Sequence, residues 1–190
     1  MSSMVGCGYV AAGDGQMQCF GYSFSISAMT PTQICAILSE RFGDRLTGLF
    51  PGDKHPRVHV PVEHWRAVAE FLRHEPGLCF DWLACLSAVD YVADDRACVV
   101  YDLWSFDHQH AIAVKVFAPR TEAIFPTMTD LWPAANWHER EAFDLMGFDF
   151  TGHPDLRRIL MAEDWEGHPL RKDYAFPREY QGIPCTLEPA

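Results

Sequence analysis

The sequence predicts an α+β fold in two layers, with helices on one face of a mixed sheet and a long irregular C-terminal tail. Three observations predict it. Apolar residues recur at helical spacing in two separate stretches, Ile34, Ile37, Leu38 and Phe42, then Trp65, Val68, Ala69 and Leu72. Elsewhere they alternate: Val58, Val60 and Val62 against Arg57, His59 and Pro61, and Ile112, Val114 and Val116 against Ala113 and Lys115. The resulting order is helix, two strands, helix, three strands, which packs as two layers around one core.

Residues 1–29 are rich in Gly and Ser without a sustained period and read as a weakly ordered arm. Thr30 opens the first helix. Pro31 suits its first position, Gln33 completes a Thr-x-x-Gln capping box, and Gly43 ends it. Leu46 to Phe50 reads as a short strand, Pro51-Gly52-Asp53 as a turn, and Arg57 to Val62 as a half-buried strand. Glu63 to His74 is the second helix, closed by Pro76-Gly77. Phe80 to Val92, Cys98 to Ser105 and Ala111 to Phe117 follow as strands, the last two joined as a hairpin through Phe106-Asp107-His108-Gln109. Thr127 to Trp132 reads as a short helix. Asn136, with Glu139 three residues on, reads as the capped start of another helix that runs to Met146 and closes at Gly147. The core domain is thus 30–147. From Phe148 to Ala190 neither period persists, yet Phe148, Phe150, Trp165, Tyr174, Phe176 and Tyr180 argue against disorder. The expectation is an extended tail held against a partner.

With 190 residues, 48% hydrophobic and 22% charged, the chain has the size and composition of one globular domain. No run approaches the ~18 unbroken apolar residues of a spanning helix, so no direct membrane span is expected. The net charge of -11 and only three lysines, Lys54, Lys115 and Lys172, leave no basic surplus to displace counterions, which speaks against nucleic acid and anionic lipid as partners. The seven cysteines are odd in number and show no CxxC spacing, which points to buried free thiols in a reducing compartment. No basic residue precedes Arg41, so neither a secretory nor an organellar signal is expected, and the reading is a cytoplasmic protein.

The densest polar cluster is Glu139-Arg140-Glu141-Ala142-Phe143-Asp144. On a helix, Arg140 and Asp144 stand at i and i+4 and can pair. Two carboxylates could serve as general acid and base, but no nucleophile accompanies them, and a solvated or interface helix face accounts for the pattern. Two similar heptads follow, Gly152-His153-Pro154-Asp155-Leu156-Arg157-Arg158 and Gly167-His168-Pro169-Leu170-Arg171-Lys172-Asp173. Their histidines are each pinned by proline and match no compact ligand set. Turns that redirect an extended chain explain Gly and Pro, and the arginines suit an interface. There is no Gly-rich phosphate loop, GxSxG or HExxH.

The stretch from Trp137 to Tyr174 resembles the 30 kDa-subunit family of respiratory complex I. The resemblance rests on Glu139-Arg140-Glu141, Asp144, Leu145-Met146, His153, Arg157-Arg158-Ile159-Leu160, and the run from Asp164-Trp165-Glu166-Gly167-His168 through Arg171-Lys172-Asp173-Tyr174. Ser87-Ala88-Val89-Asp90-Tyr91 resembles the family's central strand. The resemblance covers roughly residues 30–185 and fails over 1–29. It implies a two-layer α+β subunit of the peripheral arm of proton-pumping NADH:quinone oxidoreductase, with no catalysis and no cofactor of its own. NADH, FMN, the iron–sulfur clusters and quinone would belong to the complex. The implied partners are the large quinone-site subunit and the terminal iron–sulfur subunit, at the cytoplasmic side of the inner membrane. Glu139, Arg140, Glu141, Asp144, His153, Arg157, Arg158, Trp165, His168, Arg171, Lys172, Asp173 and Tyr174 are the implied partner-binding residues. Two alternatives stand beside it: the equivalent subunit of an energy-converting hydrogenase or formate hydrogenlyase, and a small free-standing enzyme using the Glu139–Asp144 helix.

Overall fold

The computed structural model describes residues 28–185 and, before them, the backbone of two short antiparallel strands, β1 (Ala11–Ala12) and β2 (Gln16–Met17). Otherwise the reading of 1–29 as a weakly ordered arm falls, up to residue 27, outside the described residues; Met29 packs against the core.

Helix α1 (Pro31–Phe42) starts as its sequence dictates. The Gln33 N–H donates to Thr30 Oγ1 at 3.4 Å, and the Thr30 N–H donates to Gln33 Oε1 at 2.8 Å, so two orphan amides are satisfied reciprocally. Ile34, Cys35, Leu38 and Phe42 are its buried side chains. Strands β3 (Gly48–Phe50) and β4 (Arg57–Pro61) follow as a hairpin. The β4 strand stops one residue short of the expected Val62, which is instead the first residue of α2 (Val62–His74). Pro61 keeps extended backbone at the helix entry and loses no ladder donor there. Trp65, Val68, Ala69 and Leu72 are the buried face of α2.

Three long strands come next: β5 (Trp82–Tyr91), β6 (Arg96–Ser105) and β7 (His110–Pro119). Both connecting turns need left-handed backbone, at Asp95 (φ 49) and Gln109 (φ 54), residue types with polar side chains that tolerate it. The five-stranded sheet has the order β3-β4-β7-β6-β5. All its pairs are antiparallel except β4–β7, which is parallel. The Ser-Ala-Val-Asp-Tyr strand expected at the centre is therefore an edge strand, and β7 is central. A parallel pair requires a crossover, so β5 and β6 are added outside β7 on the way back.

The register builds one apolar face. Leu86, Tyr101, Val114 and Val58 align across four strands, and Ala88, Val99, Val116 and Val60 form the next row. These meet the buried faces of α1 and α2 in one core. Each fully buried large apolar side chain contributes about 1.5–3 kcal/mol.

Beyond the sheet the expectations need correction. Residues 127–132 are turns and not a helix; Leu131 and Trp132 N–H both donate to the Met128 carbonyl. A short strand β8 (Ile124–Pro126) precedes them. Helix α3 (Ala135–Met146) begins at Ala135, with no side-chain cap; Asn136 lies inside it. Its end is as expected, at Gly147 in left-handed backbone (φ 67). The boundary at 147 is not a seam. Phe148 and Phe150 are core residues, and β9 (Asp149–Thr151) pairs in parallel with β8. The remaining segment is irregular as expected, closing with β10 (Glu179–Tyr180) and β11 (Ile183–Pro184). What holds it is this chain itself, chiefly α3 and in part the sheet.

Candidate functional site

The residues singled out in the sequence converge on α3. Four of its side chains, Ala135, Glu139, Ala142 and Met146, follow helical spacing and are buried, so Glu139 occupies a core position. Its carboxylate accepts the Thr127 hydroxyl at 2.6 Å and the Met128 N–H at 2.8 Å. Burial raises the Glu139 pKa to about 7 despite those two donors. The equally buried His153 lies 4.0 Å away. The expected cap role of Glu139 is replaced by this bracing of the turn before the helix.

Asp144 is fully buried and does not pair with Arg140. Its Oδ2 accepts three successive backbone N–H groups, Ile159 at 3.0 Å, Leu160 at 2.7 Å and Met161 at 2.8 Å. Its Oδ1 accepts Arg158 at 2.8 Å. Burial alone would raise the Asp144 pKa, but these donors together hold it below the ordinary carboxylate range. Arg158 directs its other arm to the carbonyls of Trp165 (3.0 Å) and Gly167 (3.1 Å). One carboxylate and one guanidinium thus fold residues 158–167 around the helix.

The two heptads clasp opposite ends of α3. In the first, His153 Nδ1 accepts the Asp155 N–H at 3.0 Å, so its Nε2–H donates to the Asn136 carbonyl at 3.2 Å, in the first turn. Arg140 donates to the Arg157 carbonyl at 3.2 Å. In the second, every carbonyl of the last turn is met. His168 donates to Asp144 O at 2.9 Å, the Leu170 N–H to Leu145 O at 3.0 Å, and Arg171 to Met146 O at 2.7 Å and Gly147 O at 3.2 Å. A helix end leaves these acceptors unpaired and carries partial negative charge, so a cationic side chain there is doubly favourable.

A second anchor, which sequence reading missed, joins the segment to the sheet. Arg120 donates to both oxygens of Asp90, at 2.7 and 3.1 Å, and to Asp173 at 2.7 Å, while the Lys172 N–H donates to Asp90 at 3.2 Å. The Arg120 hydrogen bonds hold the Asp90 carboxyl below its ordinary range against the effect of burial. Tyr174 donates to the Glu166 carbonyl at 2.8 Å, and its ring lies against Gly167, where a side chain would collide with it. Trp165 packs on Tyr180, with ring centroids 4.9 Å apart.

The expected partner-binding set therefore divides. Glu139, Arg140 and Asp144 are buried, and Arg158, His168 and Arg171 are engaged within the chain. Arg157, paired only with neighbouring Asp155, Glu141, Lys172 and Asp173 keep exposed positions. Glu139 and Asp144 turn inward, so they present no acid–base pair to solvent. Beside them a groove of about 300 Å³ runs between β5 and α3, lined by Ser87, His138, Glu141, Leu145 and Leu170. Trp137, Leu160, Leu170 and Phe176 are exposed by between 56% and 64%. Among the described residues no three His, Cys, Asp or Glu side chains gather as a metal site, and no helix is long and apolar enough to cross a membrane.

The chain resembles several known proteins. It is 44% identical over 149 residues to the NADH-quinone oxidoreductase C subunit of Chloroherpeton thalassium, covering 77% of this chain and 62% of that one. The protein of the same name from Roseiflexus castenholzii is 48% identical over 149 residues, covering 77% and 84%. Among solved structures, the trypsin-resistant fragment (1–134) of Nqo5 matches with a TM-score of 0.54 and 31% identity, over 65% of this chain and 99% of that one. The membrane-bound sulfane sulfur reductase, an archaeal respiratory membrane complex, contains a chain that matches with a TM-score of 0.64 and 25% identity, over 77% and 86%. The family described as respiratory-chain NADH dehydrogenase, 30 kDa subunit, matches residues 58–180, which span β4 to β10 and the whole clasp on α3. The chain belongs to that family.

Proposed function

We propose that this chain is a non-catalytic structural subunit of the peripheral arm of a proton-pumping NADH:quinone oxidoreductase. In this reading it carries no cofactor; NADH, FMN, the iron–sulfur clusters and quinone sit in other subunits. It braces the large quinone-site subunit and the terminal iron–sulfur subunit at the cytoplasmic side of the inner membrane. The observation that carries the reading is the apolar surface left on the clasp. Leu160, Leu170 and Phe176 stand out from the segment that closes on α3, and Trp137 stands out from α3 itself. Large exposed apolar groups rimmed by polar ones mark an interaction site. The relatives' shared name supplies the complex. Partner contact then falls to those four residues with Glu141, Arg157, Lys172 and Asp173, while Glu139, Asp144 and Arg158 shape the surface from beneath.

The likeness to a chain of the sulfane sulfur reductase favours a second reading, an equivalent subunit in a related membrane complex with another electron donor, such as a hydrogenase or formate hydrogenlyase. One experiment separates them. The tagged native chain is purified from gently solubilised membranes, its co-purifying subunits are identified, and NADH:quinone activity is assayed. The first reading expects NADH-oxidising and quinone-site subunits, and loss of assembly in a Trp137→Glu, Leu170→Glu variant that keeps its circular dichroism. Hydrogenase subunits would favour the second. A chain that purifies alone would overturn both.

A further inference from the structure

The five-stranded sheet has two faces, and the helices cover only one. On the other, the register aligns Val100, Lys115 and His59 in a row through the middle of the sheet. Aromatic rings run across it: Phe50 to His59 at 4.6 Å, His59 to Phe117 at 5.1 Å and Phe117 to Tyr91 at 6.1 Å between centroids. All are half-buried. No hydrogen bond, ion pair or ring contact among the described residues links these side chains to a helix or to the C-terminal segment. Shallow hollows flank the rings, one of about 380 Å³ beside Phe117 and Arg96, the other of about 200 Å³ beside Trp104 and Asp102. The five strands, three to ten residues long at ~3.3 Å rise and ~4.8 Å apart, make a face on the order of 600 Å². That is about three quarters of one partner's share of a standard interface.

Charge says what fits there. Arg57 is held by Asp53 at 2.6 Å and Arg96 by Asp94 at 3.2 Å, both acids beyond the strand ends. Lys115, on the central strand, has no carboxylate within ion-pair distance among the described residues; its one partner is the Tyr91 hydroxyl at 3.3 Å. Beside it His59 is kept toward its neutral form, by burial and by the charges of Arg57, Lys115 and Arg96. Asp102, the acid on this face, sits one row away opposite Cys85 and Ala113. The centre of an apolar, aromatic surface therefore holds an uncompensated cation, in a chain whose net charge is -11.

We propose that this open sheet face is a second docking surface, which takes an apolar segment of a partner subunit that brings a carboxylate to Lys115. The inference rests on the assembly reading above and adds a surface that lies on the opposite side of the sheet from the helix layer.

The test uses the intact chain and the complex it co-purifies with. Hydroxyl-radical footprinting read by mass spectrometry reports the exposure of Tyr91, Trp104 and Phe117. All three should oxidise readily in the isolated chain and be protected several-fold in the complex. Lys115→Glu places like charges together across the contact and should lower the co-purified fraction by roughly tenfold, whereas Lys115→Arg should retain it. Equal oxidation in both states overturns the proposal. So does protection already present in the dilute isolated chain, which would assign the face to residues 1–27, or protection that grows with its concentration, which would assign it to a second copy. A folded Lys115→Glu chain that assembles normally removes the carboxylate. Should that variant fail to fold, the wild-type footprint still decides. A wild-type chain that purifies alone sinks the assembly reading; one that assembles with this face still oxidised sinks only this surface.

Discussion

Two carboxylates on α3, five residues apart, show how environment divides one chemistry. Asp144 is buried among four donors and is held ionised; Glu139 is buried with two neutral donors, and its pKa rises to about 7. For Glu139 the folded state binds the proton more tightly than the unfolded chain does. Stability is therefore full below an ordinary Glu pKa and falls as pH rises through about 7. At about 1.4 kcal/mol per unit, the loss is on the order of 3 kcal/mol. Glu139→Gln keeps the shape and should flatten this slope, so that urea midpoints at pH 5 and pH 8 draw together; a slope equal to wild type would assign the pH dependence elsewhere. Asp144 has the opposite sign: its contribution is present at neutral pH and lost on acidification. Asp144→Ala leaves Arg158 and three amides without their acceptor and should cost about 3–5 kcal/mol. Arg157→Ala, at a guanidinium paired on the surface, should cost less than ~1 kcal/mol. Thermal unfolding of the two variants compares them directly, and equal losses would contradict the buried network.

At the scale of elements, the contrast lies between α1 and α3. Everything that starts and stops α1 is written within 14 residues of sequence, in Thr30, Pro31, Gln33 and Gly43, and is found where the pattern puts it. Helix α3 borrows its bracing from residues up to 25 positions downstream. Its Glu, Arg and Asp read as a solvated face because such residues are rarely buried. The legible signal is that Glu139 falls in line with Ala135, Ala142 and Met146, an apolar stripe interrupted by one carboxylate. The two Gly-His-Pro heptads are alike in sequence, but nothing in them says that they are the two ends of one clasp, because an irregular segment carries no period that says where it docks. Gly147 is where the helix cap and the clasp meet. Its φ of 67 suits glycine, and a Cβ there would run into the His168 ring. Gly147→Ala should therefore destabilise by more than the ~1 kcal/mol of a simple left-handed cap position, and should loosen residues 167–171. A chemical denaturation midpoint within ~0.5 kcal/mol of wild type would show that the ring yields freely.

Over the whole molecule, the layer architecture is legible because alternation and helical stripes are local properties. Strand neighbours are not: nothing in β4 states that it pairs with β7 rather than with the strand that follows it in the chain. The destination of residues 148–185 is hidden for the same reason. A segment with aromatics and no period must be held by something, and sequence alone does not name the holder. The structure names α3, with β8 and the Asp90–Arg120 pair as further holds, and the consequence is that the isolated chain should already protect the amides of Ile159, Leu160, Met161 and Leu170 from hydrogen exchange. Fast exchange at all four would restore the view that this segment orders only on partners. The parallel β4–β7 pairing also sets an order of events during synthesis. Arg57 leaves the ribosome well before its neighbour Ala113, and β5 and β6 must emerge in between. Until then β4 and α2 form an unfinished half-layer with apolar side chains and unpaired backbone on show. The β5–β6–β7 meander closes over short turns and can form first, whereas the join to β4 must close a long loop and comes late. A ribosome that pauses between β4 and β7 thus holds a sticky intermediate, and the vulnerable period in this protein's life is the time taken to translate those strands.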